Sequence, residues 1–280
     1  MLTYGLVAPS VGAVTIASDG VWAAANVGFA RGADQRRGVT WVAPDLSLTR
    51  TADFSFVSSR RLLAADNQLW VATEQGVIRI DQTTLRSRTW DLQDVTSLAR
   101  TSEGVWVGTT HGLSIIRSND LLDDLASSGV AVLSLLADGD TLWVGTSGGL
   151  GHVLPGSDAI TIPGGLGERA TLRVPVYALA SVRDTIVMAT GQQLVWRSPG
   201  MQEWSAITLP PSLGRPTALT VGPDATLWVG GTLGLAQAEL ASGLVHVHPV
   251  PFEVPAAIRD LAADRSYLWA ATDSGLMRIQ

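Results

Sequence analysis

Cysteine is missing from the 280 residues, and lysine with it: all 19 basic residues are arginine. The first absence excludes disulfides, thiolate metal centres and a cysteine nucleophile. The second excludes a Schiff-base lysine and a P-loop lysine. Charged residues make up only 16% of the chain and the net charge of −6 is spread along it, which argues against a nucleic-acid partner. No apolar run reaches the length of a membrane-spanning helix. Neither an H-E-x-x-H motif nor a dinucleotide fingerprint between a strand and a helix occurs. What is present is a 46% hydrophobic share, enough to fill a large core and too much for disorder. Aromatic content is only 6%, yet ten residues are tryptophan against four phenylalanines and three tyrosines.

The tryptophans are periodic. Seven segments align: SDGVWAAANVGF (18–29), DNQLWVATEQGV (66–77), SEGVWVGTTHGL (102–113), GDTLWVGTSGGL (139–150), RDTIVMATGQQL (183–194), DATLWVGGTLGL (224–235) and RSYLWAATDSGL (265–276). Their anchor column is Trp22, Trp70, Trp106, Trp143, Val187, Trp228 and Trp269. Two residues after each anchor stands Gly or Ala. Six residues after it stands Gly28, Gly76, Gly112, Gly149, Gly234 or Gly275, with Gln193 as the exception. Consecutive apolar residues around the anchor predict a strand buried on both faces. The later glycine predicts a tight turn with positive φ. A second strand follows (VIRI 77–80, LSII 113–116, LMRI 276–279). An upstream strand precedes, with starts near residues 14, 61, 96, 133, 177, 217 and 259. Some copies add an outer strand with its own tryptophan: Trp41, Trp90 or Trp204.

Successive anchors lie 48, 36, 37, 44, 41 and 41 residues apart. Four strands in a repeat near forty residues predict an all-β, seven-bladed β-propeller of four-stranded antiparallel blades, with residues 1–280 as a single domain. After Trp269 too little chain remains for an outer strand. Residues 1–9 are therefore expected to supply it, closing the ring and removing two exposed sheet edges. Three departures from the repeat stand out. Residues 47–60 read as an extended connection. NDLLDDLASS (119–128) reads as one or two helical turns capped by Asn119 in place of an outer strand, with Asp120, Asp123 and Asp124 charging the first turn. The fifth repeat lacks the tryptophan and glycine and is approached through IPGGLGER (162–169).

The core D-x-x-LWVGT-x-x-GL, best seen in SEGVWVGTTHGL and GDTLWVGTSGGL, resembles the two-component regulator propeller repeat. Six of the seven copies carry it. That resemblance implies a sensor-type propeller, extracytoplasmic in that family and usually one of a tandem fused to a membrane helix. The 280 residues are expected to form one ring, with no membrane helix or kinase among them. A looser similarity is to the streptogramin lyase-type propellers. The single Trp90–Asp91 pair makes no WD40 array.

By analogy with propellers generally, ligands bind at the top face over the central channel, where inner strands start and where the turns precede the glycine column. The first set nominates Arg60, Arg61, Thr96, Tyr177, Thr217, Arg259 and Asp260. The second nominates Asn26, Glu74, Gln75, Thr110, His111, Ser147, Thr232 and Asp273. Ligand contact is expected chiefly from Arg61, Glu74, His111, Tyr177, Arg259, Asp260 and Asp273, since such a rim suits a small polar molecule and arginine pairs can hold an oxyanion bidentately. His246 and His248, two apart on a strand, are the weak candidates for a metal; no third ligand accompanies them, and no cofactor is expected unless a divalent ion. The resulting expectation is a non-catalytic recognition module for a small polar ligand or a protein partner. The alternative is a lyase or hydrolase over the channel, possibly metal-assisted, in which His111 and Glu74 would act. The compartment stays open: extracytoplasmic for a sensor domain, cytoplasmic for a complete native protein.

Overall fold

The computed structural model describes all residues except 1, 5–9, 18–19, 32–33, 43–47, 54–58, 127–128, 158, 162–172, 202, 242–243, 251–255 and 280. The chain is an all-β propeller. Its first strand, β1 (Leu2–Tyr4), belongs to the last sheet. Sheet one contains β2 (Val11–Ile16), β3 (Val21–Arg31), β4 (Asp34–Val42) and β5 (Leu48–Asp53). Sheet two contains β6 (Ser59–Ala65), β7 (Gln68–Thr73), β8 (Gly76–Asp81) and β9 (Ser87–Asp91). Sheet three contains β10 (Val95–Thr101), β11 (Gly104–Thr109), β12 (Leu113–Arg117) and β13 (Leu122–Ala126). Sheet four has three described strands, β14 (Val132–Asp138), β15 (Thr141–Thr146) and β16 (Gly149–Val153), with an isolated His152–Thr161 bridge beyond them. Sheet five contains β17 (Ala178–Val182), β18 (Thr185–Ala189), β19 (Gln193–Arg197) and β20 (Ser205–Thr208). Sheet six contains β21 (Pro216–Val221), β22 (Leu227–Gly231), β23 (Leu235–Ala241) and β24 (Leu244–Pro249). Sheet seven contains β25 (Ile258–Ala263), β26 (Leu268–Thr272), β27 (Gly275–Ile279) and β1, which pairs antiparallel with β27 through Leu2–Ile279, Thr3–Arg278 and Tyr4–Met277.

The innermost strands touch in succession: β2 lies against β6, β6 against β10, β10 against β14, β14 against β17, β17 against β21, β21 against β25, and β25 against β2. Apolar clusters fill the seams. Trp22 of sheet one packs with Leu62, Val71 and Ile80 of sheet two. Trp70 packs with sheet three, Trp106 with sheet four, Trp143 with sheet five and Val187 with sheet six. Trp269 of sheet seven packs with Val11, Val14 and Val21 of sheet one. The anchor column is thus the knob that each sheet presses onto the next. All of it but Trp228 is buried. The small column two residues later exists because that same seam leaves no room: a Cβ on Gly108 would lie 2.5 Å from Val132 Cγ1, on Gly145 2.9 Å from Val176 Cγ1, and on Gly230 2.7 Å from Ile258 Cγ2.

The turn before the glycine column has a cap that composition did not reveal. The threonine of the repeat donates its hydroxyl to the glycine carbonyl and accepts backbone N–H groups of the turn. Thr73 donates to Gly76 O at 2.8 Å and accepts Gly76 N at 3.0 Å; Thr109 does so with Gly112, and Thr272 donates to Gly275 O at 2.8 Å. Gly76, Gly112, Gly149 and Gly275 have positive φ, as the turn requires.

Four expectations need correction. Residues 119–128 contain no helix among those described: β13 completes sheet three as its outer strand, because the free edge of β12 offers a ladder that local helix signals cannot match. Asn119 still caps, accepting Leu121 N at 3.2 Å in a turn. Residues 47–60 include β5, the outer strand of sheet one, rather than a bare connection. Gly28 does not end its strand: β3 runs on to Arg31 and pairs with β4 through Phe29–Arg36, so Asn26 lies within a strand and this longer hairpin absorbs part of the 48-residue first spacing. Trp41 sits on β4, the third strand of its sheet, whereas Trp90 lies on an outer strand. The segment 162–169 lies outside the described residues apart from its flanks.

Candidate functional site

In an antiparallel four-stranded sheet, the start of the innermost strand and the turn between the second and third strands lie at the same end. Every nominated rim residue therefore belongs to one face, here called the upper face. Six innermost strands carry a bulge one residue after their start, at Gly12, Arg60, Thr96, Leu133, Thr217 and Arg259. A bulge re-aims its side chain out of the pleat. The hydroxyls at two such positions stitch sheets together: Thr96 donates to Val132 O at 2.6 Å and Thr217 to Ile258 O at 2.7 Å. Ser134, one residue further along its strand, donates to Val176 O at 3.1 Å.

The residue after the bulge faces the small column of the neighbouring strand. It is Ala13, Ser97, Ser134 and Ala218 in four sheets, but Arg61 and Asp260 in sheets two and seven. These two charges pair with each other. Arg61 Nη1 lies 2.5 Å from Asp260 Oδ1, and the same guanidinium donates to Arg259 O and Thr217 O at 3.3 Å each. Asp260 is 8% exposed, and its other oxygen accepts Val14 N at 3.2 Å. Burial pushes its carboxyl above the ordinary aspartate range; Arg61 and the backbone N–H groups act against that shift. Arg61 thus ties sheets two, six and seven, and Asp260 in turn reaches sheet one at Val14.

The other rim charges are also engaged. Arg259 grips Asp273 with two bonds, Nε to Oδ1 at 2.8 Å and Nη2 to Oδ2 at 2.9 Å, which holds the guanidinium's pKa above its ordinary value. Arg60 lies 3.6 Å from Glu74 and 4.0 Å from Asp94. Tyr177 is half-buried beneath Arg215, whose Cζ stands 5.3 Å from the ring centroid. Arg215 was not among the nominated residues; it precedes its strand in a Pro- and Gly-containing segment with no repeat position to mark it.

His111 is exposed, with Nδ1 3.1 Å from Thr110 Oγ1. It lines a cleft of about 390 Å³ between sheets two and three with Asp91, Gln93, Thr109, Ser114 and Asp124. Glu74 is not part of that lining. Asp124 accepts from Ser114 Oγ at 2.7 Å, Asp123 pairs with Arg117 at 2.6 Å, and Asp120 holds Arg79 and Arg88 at 2.6 and 2.5 Å, so these three carboxylates charge no helix. His246 and His248 are exposed on the outer strand β24, opposite Glu239 and Gln237. No group of three His, Asp or Glu able to hold a metal occurs among the described residues. The string Gly145–Thr146–Ser147–Gly148–Gly149 spells G-x-S-x-G. It forms the hairpin turn between β15 and β16, not a strand-to-helix elbow, so Ser147 has no nucleophile geometry. No helix among the described residues is long and apolar enough to cross a membrane.

No protein-family model matches the sequence, and no curated protein matches it. Solved structures do. The extracellular domain of the putative one component system BT4673 from B. thetaiotaomicron superposes with a TM-score of 0.77 at 17% identity over 98% of this chain. Only 38% of that protein is covered, so this chain spans about two-fifths of its length. The extracellular domain of the putative hybrid two component system BT3049 from the same organism gives 0.71 at 15% identity, covering 98% of this chain and 39% of the other. Virginiamycin B lyase from Staphylococcus aureus gives 0.76 at 14% identity, covering 99% and 98%. The shared property is the propeller fold.

Proposed function

We propose that the chain is one recognition module, a closed seven-bladed propeller that binds a small polar ligand or a protein partner at its upper face without transforming it. The ring reading is supported by the unbroken succession of innermost-strand contacts, by Trp269 packing on sheet one, and by β1 standing at the edge of β27. Sheet four then counts as the seventh blade, with the His152–Thr161 bridge where its fourth strand would run. The function rests on one observation. Charged and aromatic side chains collect at or just before the upper-face starts of the innermost strands of sheets two, five, six and seven (Arg60, Arg61, Tyr177, Arg215, Arg259 and Asp260), while the bulge positions of sheets one, three, four and six carry Gly12, Thr96, Leu133 and Thr217. Their pairing with one another gives a rigid, polar rim rather than a nucleophile beside a base. The fold likeness to extracellular domains of putative signalling systems is consistent with sensing.

A thermal-shift screen of sugars, carboxylates and divalent ions tests the reading, because a ligand that binds only the native state raises the midpoint. A compound that stabilises the wild type, and loses its effect in Tyr177→Ala or Arg259→Ala, supports the upper face. Binding that survives both substitutions overturns that location.

One observation favours the second reading, a lyase or hydrolase: His111 shares its cleft with Asp91 and Asp124. Turnover of a screened substrate that falls at least a hundredfold in His111→Ala would establish it; unchanged turnover would remove it.

A further inference from the structure

The cations of the upper face divide into two groups. Arg60, Arg61 and Arg259 each have a carboxylate within 4.0 Å. Arg173 and Arg215, on the approaches to sheets five and six, have none among the described residues. Arg215 is nonetheless held in place. Gly214, at φ 68°, turns the chain where an added Cβ would collide with Thr232 Oγ1 and come within 2.9 Å of Leu233 Cγ. Arg215 N donates to Thr232 Oγ1 at 3.1 Å, Thr232 N donates back to Arg215 O at 3.0 Å, and Leu233 N donates to Leu213 O at 3.0 Å. The backbone beneath the guanidinium is therefore stapled to the adjoining hairpin turn.

The surroundings are amphipathic. On one side of Arg215 lies the Tyr177 ring; no protein partner for its hydroxyl occurs among the described residues. In the adjoining hairpin turn, Leu233 is 67% exposed, the largest exposure of any bulky apolar side chain described. Arg61, neutralised by Asp260, donates to Thr217 O two residues from Arg215 and so braces the start of the same strand. In a chain of net charge −6, a guanidinium on a stapled loop, over an aromatic ring, beside a turn with an exposed aliphatic side chain and with no carboxylate partner among the described residues, is a feature that selects for anions.

Resting on the upper-face reading and deepening it, we infer that the ligand is a small anion: a carboxylate or phosphate borne on an apolar or planar body. The oxyanion sits on Arg215, and the body lies against Tyr177 and Leu233.

The test uses the full chain and three probes of one shape: phenylacetate, phenyl phosphate and the neutral phenylacetamide. Calorimetric titration of the wild type is expected to show binding of one or both anions and at least tenfold weaker binding of the amide. Arg215→Gln is expected to weaken anion binding at least tenfold with an unchanged unliganded unfolding midpoint, Arg215→Lys to retain part of it, and Arg183→Gln, in a turn at the opposite end of the sheets, to leave it intact. Amide binding as tight as anion binding, or full anion affinity in Arg215→Gln, overturns the inference. If sugars bind the upper face while both anions fail, the anion assignment falls and the recognition module stands; if no compound of any class binds, both fall.

Discussion

Arg61 and Asp260 are separated by 199 positions in the chain, yet they meet at 2.5 Å, each occupying the strand position that other sheets fill with alanine or serine. The pair joins sheet two to sheet seven, and Asp260 also accepts Val14 N of sheet one. Removing Arg61 leaves a buried carboxylate with the backbone N–H groups of Val14 and Leu261 as its donors. Arg61→Ala is expected to cost about 3 kcal/mol, the low end for a buried pair stripped of one member. The double variant Arg61→Ala/Asp260→Ala should be more stable than Arg61→Ala alone, because alanine already fits this position at Ala13 and Ala218. Urea midpoints of wild type, single and double variants check both statements.

The same pair sets a pH dependence. The folded-state pKa of Asp260 is raised by burial, so its protonated form favours the folded state. That contribution is fully present below the unfolded value near 3.8 and is lost as pH rises through the folded value. Loss of Arg61 moves the folded value higher still. The deficit of Arg61→Ala relative to wild type should therefore shrink between pH 7 and pH 4. A deficit that grows on acidification would contradict the assignment of the burden to Asp260.

The seam between sheets four and five offers a steric test. A Cβ on Gly145 meets the Ser134 hydroxyl and stands 2.9 Å from both Val176 Cγ1 and Val176 O. Gly145→Leu should cost roughly 1–3 kcal/mol or more by overpacking. Trp143, 8% exposed on the same strand, should cost about 3–5 kcal/mol on truncation to alanine. Chemical denaturation at pH 7 measures both. Values near zero would mean that sheet five does not press on sheet four as described.

The periodic parts of this fold were legible because their causes are local. A tryptophan, a small residue two later and a glycine six later each do one job within a single hairpin, and that job repeats. The strand β13 was not legible. Asn119 with the acids that follow it satisfies a helix start, and only the edge of β12, a tertiary partner, makes Leu122–Ala126 extended. The site divides the same way. Arg61, Tyr177, Arg259, Asp260 and Asp273 could be placed on one rim by counting along the repeat. That Arg61 pairs with Asp260 rather than with its nearer neighbours depends on how sheets six, seven, one and two converge, which no spacing records. Arg215 escaped because its position is set by Gly214 and Thr232, not by the repeat.

His152 supplies a second titration. Burial, with the Arg197 charge adding to it, lowers its pKa below the usual 6.5, so the neutral imidazole belongs to the folded state. Its Nε2 lies 3.1 Å from Thr161 Oγ1, and its ring lies 5.5 Å from that of Trp143. Here the unfolded chain binds the proton more readily. Stability from this residue is complete above pH 6.5 and is lost as pH falls through the lower folded value. His152→Gln should flatten the acid side of the thermal midpoint profile below pH 6.5 relative to wild type. An identical slope in both proteins would show that another group carries the acid limb.

The pairing of β1 with β27 joins the two ends of the chain in one sheet, and three cross-strand pairs carry it. Pairs of this kind contribute roughly 0.2–1 kcal/mol each. Their removal has a further consequence, because β27 would then present unpaired N–H and C=O groups along its edge, a template for a second chain. A variant lacking residues 1–9 should therefore unfold at lower temperature and also self-associate, the second effect rising with concentration. Differential scanning calorimetry measures the first and light scattering the second. A single proline at Thr3 separates the two causes: it removes one ladder donor while leaving the strand's mass in place, so it should lower the midpoint with less association than the truncation. If the truncated chain keeps both the wild-type midpoint and a monomeric mass, the joined ends do not hold the propeller together.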